Sequence, residues 1–412
     1  MTEDYFDGLE TRDPEVRAEA LAQALPGQVA NARRDGAAWA RILADVLPDE
    51  VTSPEALAAL PVTRKSDLTA LQAETAPFGG LTTRPAGAMS WIFCSPGPIY
   101  EPGVRDVDFF RMGRALFAAG FRKGDIVHNT FAYHLTPAGH MMESGAHACG
   151  CAVVPGGVGN TEQQLQAIAQ IRPQAFAGTP SFLRILLDRA DEAGLDISSM
   201  AKGAVGGEAL PPSLRTELSE RGVEVLQSYG TADLGLVAYE SPAIEGMIID
   251  EGVIVEVVRP GTGDPVADGE VGEVVVTTLN PVYPLIRFAT GDMSAILAGQ
   301  SPCGRTNRRI KGWMGRADQS TKVKGMFVRP EQIAQVLARH DEIAKARLVV
   351  DNIDRVDVMV LHCETAQAGE ALQAAVTETL QAVCKLKGTV TLGPPGSLAN
   401  DGKVIDDIRS YE

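Results

Sequence analysis

The sequence predicts an α/β protein: a large N-terminal α/β domain with an added antiparallel β region, followed by a small α+β C-terminal domain. Three observations carry this. Between Ser90 and Gly230 short apolar runs alternate with helical periods, the βα rhythm of a mostly parallel sheet covered by helices. From Gly246 to Leu279 the chain is rich in Val and Ile, is cut by Gly-Thr-Gly-Asp and Asp-Gly-Glu turns, and lacks a helical period, which suits an antiparallel meander or small barrel. Beyond Gly325, helical and strand patterns outline a separate unit. At 412 residues the chain exceeds one ordinary core. The expected boundaries are 1–314 and 315–412, after a turn-rich connection carrying Pro302, Gly304 and Gly312.

Composition narrows the function. The hydrophobic content of 45% is that of a soluble globular protein. A formal charge of −16 argues against a nucleic-acid or anionic-membrane surface, since phosphate backbones call for clustered Lys and Arg. Any anionic cofactor must therefore be met by local donors. The N-terminus, MTEDYFDGLE, lacks the apolar segment of a secretory signal, and no apolar run approaches the ~20 residues of a membrane helix. A cytoplasmic protein is expected. The cysteines at 94, 149, 151, 303, 363 and 384 form no C-x-x-C unit and read as free thiols.

In chain order, Pro14 to Val46 has helical rhythm with an expected break at Pro26-Gly27. Ser53-Pro54-Glu55 supplies a cap, a first-turn proline and an acid for a short helix that Pro61 ends. Ser90–Cys94 reads as a strand feeding a turn-rich loop, SPGPIYEPG. A helix from about Asp106 to Ala119 closes at Gly120, and Asp125–His128 is a strand. Thr161-Glu-Gln-Gln164 reads as a capping box for a helix stopping before Pro173. AFAG, a helix Ser181–Ala193 closed by Gly194, KGAVGGE, a helix Pro212–Arg221 and VEVLQSYG complete the alternation. In the small unit, helices at Pro330–Ala338 and Gly369–Cys384 accompany strands at 346–350, 356–363 and 389–392.

Two short signals carry the chemistry, FATGD at 288–292 and GRADQ at 315–319. A carboxylate following Thr290-Gly291, Asp292, can accept two hydrogen bonds from a vicinal diol such as a ribose. Arg316 can reach the same ribose if the chain folds back. Taken singly, Gly291-Asp292 reads equally well as a hairpin turn and Gly315-Arg316 as a linker.

Together with their flanks, PLIRFATGD, SPCGRT and GRADQSTKVKGMFVRPEQI resemble the phenylacetate-coenzyme A ligases among the adenylate-forming enzymes. The string LPVTRKSDL at 60–68 is similar to the end of that family's N-terminal helical region. The resemblance implies ATP-dependent activation of an aryl or other small carboxylic acid as an acyl-AMP, transfer to coenzyme A, Mg²⁺ as cofactor, a mobile C-terminal domain and a homodimer. It places Gly207 and Glu208 of Gly206-Gly207-Glu208 beside the adenine. The string Ser228-Tyr229-Gly230-Thr231 becomes the nucleotide motif, with Tyr229 stacking on the base and Asp233 placing Mg²⁺. Lys403 is implied as the catalytic lysine, offsetting charge between carboxylate and α-phosphate. Asp318 is the implied hinge, and Lys324-Gly325 the loop that turns to the active site afterwards. Phe131, Tyr133, His134 and Gly156 would line the acid pocket.

The sequence also departs from the family. Its phosphate loop is rich in Ser, Thr and Gly and carries a lysine, whereas Cys94–Gly103 here has three prolines, a glutamate and no lysine. Ala232 removes a hydroxyl from the nucleotide motif, Thr231 stands one place early, and Asp233 is shorter than the usual Glu. Two other readings stay open: the same chemistry with a different acceptor, or a nucleotide- or acyl-CoA-binding homologue with impaired ligation. His134, His140, His147, Cys149 and Cys151 fit no common zinc spacing, and no zinc is expected.

Overall fold

The computed structural model describes residues 4–317, 319–353, 356–398 and 403–409, and the chain divides into two compact units, Met1–Met314 and Gly315–Glu412. In the large unit the strands are β1 (Thr63–Arg64), β2 (Trp91–Ser95), β3 (Ile99–Gly103), β4 (Ile126–Asn129), β5 (Ala152–Pro155), β6 (Ala175–Gly178), β7 (Lys202–Val205), β8 (Glu224–Thr231), β9 (Gly235–Glu240), β10 (Met247–Ile249), β11 (Val253–Val258), β12 (Gly272–Thr278), β13 (Phe288–Ser294), β14 (Ile296–Leu297) and β15 (Arg309–Ile310).

The main sheet runs β14-β15-β10-β9-β8-β7-β6-β4-β5. Its β5 to β8 half is parallel, and from β8 onward the pairing is antiparallel. The central parallel strands β4, β6 and β7 bury nearly every side chain because helices such as Pro180–Ala193 cross over between strands, as parallel sheets require. Thr179 caps that helix from its hydroxyl, and Gly194 ends it in the left-handed region. A second sheet, β1-β13-β12-β11, packs Val255, Val257, Val274, Val276 and Phe288 into a core shared with the fully buried Trp39 of the N-terminal helices.

Several expectations are corrected. The helix Pro14–Asp35 runs through Pro26 and ends at Gly36, since Leu25, Gln28, Val29 and Ala32 bury one continuous face and the Gln28 amide is bound by the carbonyls of Thr278 and Asn280. The helix expected from Asp106 starts only at Gly113, because Asp108 and Arg111 take positive φ. At Thr161 the capping box does not form: Asn160 holds the cap position in the left-handed region, and the Gln164 side chain binds the carbonyls of Gly157 and Gly159. The loop after Cys94 is a β2–β3 hairpin. The Val- and Ile-rich stretch splits between the sheets, β10 joining the first and β11–β12 the second, without closing into a barrel.

The small unit has β16 (Thr321–Val323), β17 (Met326–Val328), β18 (Ile343–Ile353), β19 (Val356–Thr365), β20 (Thr389–Gly393) and β21 (Ile405–Asp407), with helices Pro330–Leu337 and Glu370–Cys384. The sheet order is β20-β19-β18-β21, and Leu348, Val350, Leu361, Val376 and Leu380 form its core. All six cysteines are free thiols. Among the described residues no helix is long and apolar enough to cross a membrane.

Candidate active site

The diol side is built on β8 and β13. Gly291 has φ +76°, and the β12–β13 register shifts between Glu273 and Val275, so Asp292 leaves the pleat at a bulge. A simple hairpin turn is thereby excluded. The Asp292 carboxylate is half-buried and held from both sides: Tyr229 Oη donates to Oδ2 at 2.8 Å and Trp313 Nε1 to Oδ1 at 3.2 Å. Its own N–H donates to Thr290 Oγ1 at 3.1 Å. Because the Tyr229 phenol is tied to Asp292, its ring is held in place beside that carboxylate.

Asp233 follows β8 in the next turn, with its side chain 0% exposed. Lys65, in the string LPVTRKSDL, donates to Asp233 Oδ2 at 2.5 Å, and Thr231 Oγ1 lies 3.4 Å from the same oxygen. The Thr231 hydroxyl also accepts from Leu234 N at 3.1 Å, which engages it in closing the turn. Burial opposes the charge on Lys65, but Asp233, with Glu101 and Asp292 adding to it, outweighs that cost and raises its pKa. Asp233 Oδ1 is buried without a protein partner, and so is the Tyr283 hydroxyl. Lys65 thus answers the buried charge of Asp233.

The hairpin engages several of the Cys94–Gly103 loop's own donors. Pro96, Pro98 and Pro102 have no N–H. Cys94 N donates to Leu135 O at 2.8 Å, Ser95 N to Glu101 Oε2 at 3.2 Å, and Tyr100 N to Gln72 Oε1 at 2.8 Å. Glu101 does not face outward to repel an anion: it is 0% exposed, and Ser95 Oγ donates to its other oxygen. Burial, then the charge of Asp233, pushes the Glu101 carboxyl up to about 7 against the pull of Ser95 and Lys65.

The acid side lies at the C-terminal ends of β4 and β5, the usual ligand position in an open α/β sheet. Asn129 Nδ2 donates to Tyr133 Oη and Gly139 O, both at 2.8 Å, and Asn129 Oδ1 accepts from Phe131 N at 3.2 Å. A Cβ at Gly207 would lie 3.7 Å from Phe131, so the adenine-side and acid-side residues of the expectation adjoin each other. The Glu208 carbonyl accepts from Gln227 Nε2 at 2.8 Å. At Gly156 a Cβ would come 2.8 Å from Gln164 Oε1 and 3.0 Å from His128 Nε2, so glycine there makes room for a buried pair. Gln164 uses its amide hydrogens on Gly157 and Gly159, which turns its oxygen to His128 at 2.7 Å and fixes the imidazole proton on Nε2. Burial lowers the His128 pKa, keeping it neutral. His134, by contrast, is exposed. Tyr133, Trp91 and Phe93 gather around His140 at ring distances of 5.2–5.3 Å, joining hairpin to acid loop.

In the small unit, Arg316 Nε donates to Ser320 Oγ at 2.9 Å, and its guanidinium lies 5.6 Å from the Phe327 ring. Lys324 and Gly325, both with positive φ, form the two-residue turn between β16 and β17. Lys403 is exposed, with Nζ 2.8 Å from Asp406 Oδ1. Asp318 lies outside the described residues. Sequence reasoning missed Lys65, Asn129, His128, Gln164, Tyr283 and Trp313. Lys65 stood in the string similar to the family's, and Gln164 in the string read as a capping box.

Residues 111–280 match the family model of the AMP-binding enzymes. The chain is 30% identical over 335 residues to a phenylacetate-coenzyme A ligase of Aromatoleum evansii, covering 77% of this chain and 74% of that one. A phenylacetate-coenzyme A ligase of Thermus thermophilus is 30% identical over 340 residues, 79% and 75% of the two chains. A crystal structure of 2-hydroxyisobutyryl-CoA ligase with 2-HIB-AMP and CoA aligns with TM-score 0.82 at 24% identity, over 98% of this chain and 92% of that one, which shows the fold. The AMP-binding match and these relatives define an adenylate-forming, AMP-binding enzyme. Within that class the chain belongs to the phenylacetate-coenzyme A ligase family.

Proposed function

We propose that this chain is an ATP-dependent acid–thiol ligase acting on an aryl or other small carboxylic acid. The carboxylate oxygen attacks the α-phosphorus of ATP, pyrophosphate leaves, and the acyl-AMP is attacked at its carbonyl carbon by the coenzyme A sulfur, releasing AMP. The observation that carries the reading is the Asp292 carboxylate fixed between Tyr229 and Trp313, oriented to accept a ribose diol. In this reading Ser228, Tyr229, Gly230 and Thr231 frame the nucleotide with Gly207 and Glu208, Arg316 supplies a further ribose contact, and Lys403 brings positive charge to the attacking carboxylate. Phe131, Tyr133, His134 and Gly156 bound the acid. Lys324-Gly325 serves the thioester step, and Asp318 the turn of a lid domain between steps. A cytoplasmic homodimer is part of the same proposal.

A magnesium ion fits the donor set at Asp233, whose Oδ1 is a buried carboxylate oxygen without a protein partner, a hard ligand for a hard cation. Bound there, it would screen phosphate charge. Lys65 stands ready for the same task from the protein side.

The test is pyrophosphate release from a panel of aryl and short branched acids, with and without coenzyme A. Release with thioester formation supports the ligase; release without any thiol requirement points to a different acceptor. The hairpin, whose donors are turned inward, favours one other reading, a homologue that binds AMP but ligates poorly. Absence of pyrophosphate from every acid, with AMP still bound in calorimetry, would establish it.

A further inference from the structure

The glycine turn on the acid side is held from beneath by a buried amide, and we infer that Gln164 is a positioning residue for the carboxylic acid. Its side chain sets where Gly156 and Gly157 stand, and so how tightly the acyl group is bound. The inference rests on the acid side as proposed above and adds to it a residue behind the wall.

The turn does not fix itself. It joins β5 to the helix Thr161–Ile171, and Gly157, Gly159 and Asn160 take φ of +66°, +75° and +50°. Glycine reaches such angles without steric cost, but it loses the most conformational freedom when held there. At its tip the turn is open to solvent, Val158 being 59% exposed. Hydrogen bonds from below hold it instead. Gly157 N donates to Asn129 O at 3.0 Å, and Gln164 Nε2 to the carbonyls of Gly157 at 3.0 Å and Gly159 at 2.6 Å. Gln164 is itself anchored in the first turn of the helix, where its N–H donates to Asn160 O at 3.0 Å. Backbone and side chain of one residue thus close on the turn from both ends.

Burial makes these bonds count. Gln164 is 4% exposed and His128 1%. With both amide hydrogens on carbonyls, the Gln164 oxygen accepts from His128 Nε2 at 2.7 Å, and His128 Nδ1 is buried without a partner. Removing the amide strands two carbonyls and an imidazole N–H together, and a buried polar group left unpaired costs more than its bond contributed. The carbonyls can relieve that cost by turning to water, which the glycines permit. The imidazole, on a strand, cannot follow, so the displacement falls on the turn. That turn faces the acid side: a Cβ at Gly157 would lie 3.9 Å from Tyr133 Cδ2, and Asn129 holds the Tyr133 hydroxyl. A shift of the glycines opens the wall opposite that ring. Asp292 and Tyr229 stand on other strands, β13 and β8, and are bonded to each other.

The experiment is calorimetry on the full chain, comparing phenylacetyl-sulfamoyl adenosine, a stable mimic of an aryl acyl-AMP, with sulfamoyl adenosine. The ratio of the two affinities isolates the acyl group. Gln164→Met, of similar length but without the amide, should lower that ratio about tenfold, the size expected of a lost buried hydrogen bond, and leave sulfamoyl adenosine binding unchanged. Hydrogen–deuterium exchange across residues 155–161 should quicken in the same variant. Near-UV circular dichroism checks the fold, and Gln164→Leu serves where Gln164→Met does not fold. Unchanged exchange or an unchanged ratio overturns the inference, and so do equal losses for both compounds, the mark of a merely structural role. A wild type that binds the two compounds equally overturns it as well. Pyrophosphate release decides the ligase reading separately, so release by the wild type together with an unchanged ratio removes this inference alone.

Discussion

The two sides of the nucleotide site are built by opposite means. On the side proposed for the diol, Asp292 sits at a bulge with Tyr229 and Trp313 donating to it, and the residue stays half-buried. On the phosphate side the hairpin hydrogen-bonds to itself, to Gln72 and to Leu135, and its one charged residue, Glu101, is turned inward. A nucleoside is held by a few directed bonds to fixed acceptors. A triphosphate needs many donors or mobile cations, and the cation beside Asp233 here is Lys65, far away in sequence. Under the proposed function, the difference makes ribose binding and phosphate handling separable properties of this site.

That separation can be broken or sharpened by substitution. The largest effect is expected of Lys403→Ala, about 10³-fold in pyrophosphate release with AMP affinity unchanged, the size of loss when a transition-state charge partner is removed. Equal rates would remove the lysine from the chemistry. Next comes Glu101→Gln, read as stability against pH. The Glu101 carboxyl lies at about 7 in the fold and ordinarily at 4.5, so below 4.5 both states hold the proton and nothing differs. Between those values the folded state alone keeps it, so stability falls as pH rises, and above 7 the full penalty stands. Relative to wild type the variant should gain about 3 kcal/mol between pH 4.5 and pH 8 by urea denaturation. A flat difference would mean that Glu101 ionises freely.

Asp292→Ala should cost about 2 kcal/mol in AMP binding by calorimetry, the worth of hydrogen bonds to a charged acceptor. If affinity survives, the diol is gripped elsewhere. Trp313→Phe, which removes one donor and keeps the ring, should cost about 1 kcal/mol in the same titration. A larger loss would make Trp313 part of the base-binding surface.

The parallel half of the main sheet, the small unit and the two short signals were legible because periodicity and turn residues are local. Gly194 ends its helix for reasons contained in its own backbone, and Asp292 was found from four neighbours in sequence. Expectations failed where distant atoms decide. Pro26 does not break its helix because Gln28 is anchored to Thr278 and Asn280. Gln164 abandons the capping box for two carbonyls and an imidazole. The buried pairing of His128 with Gln164 was likewise invisible in sequence, 36 residues separating the two.

By itself the sequence determined the family and the layering of strands and helices, and singled out Asp292 as the carboxylate proposed for the diol, since all of these follow from short-range pattern and motif. Only the tertiary structure decided the phosphate side. Whether Glu101 repels an anion or is buried, and whether Lys65 answers Asp233, depend on the direction in which side chains point across 168 residues of separation. Burial and pairing fix that direction, and neither is written in any one stretch of chain.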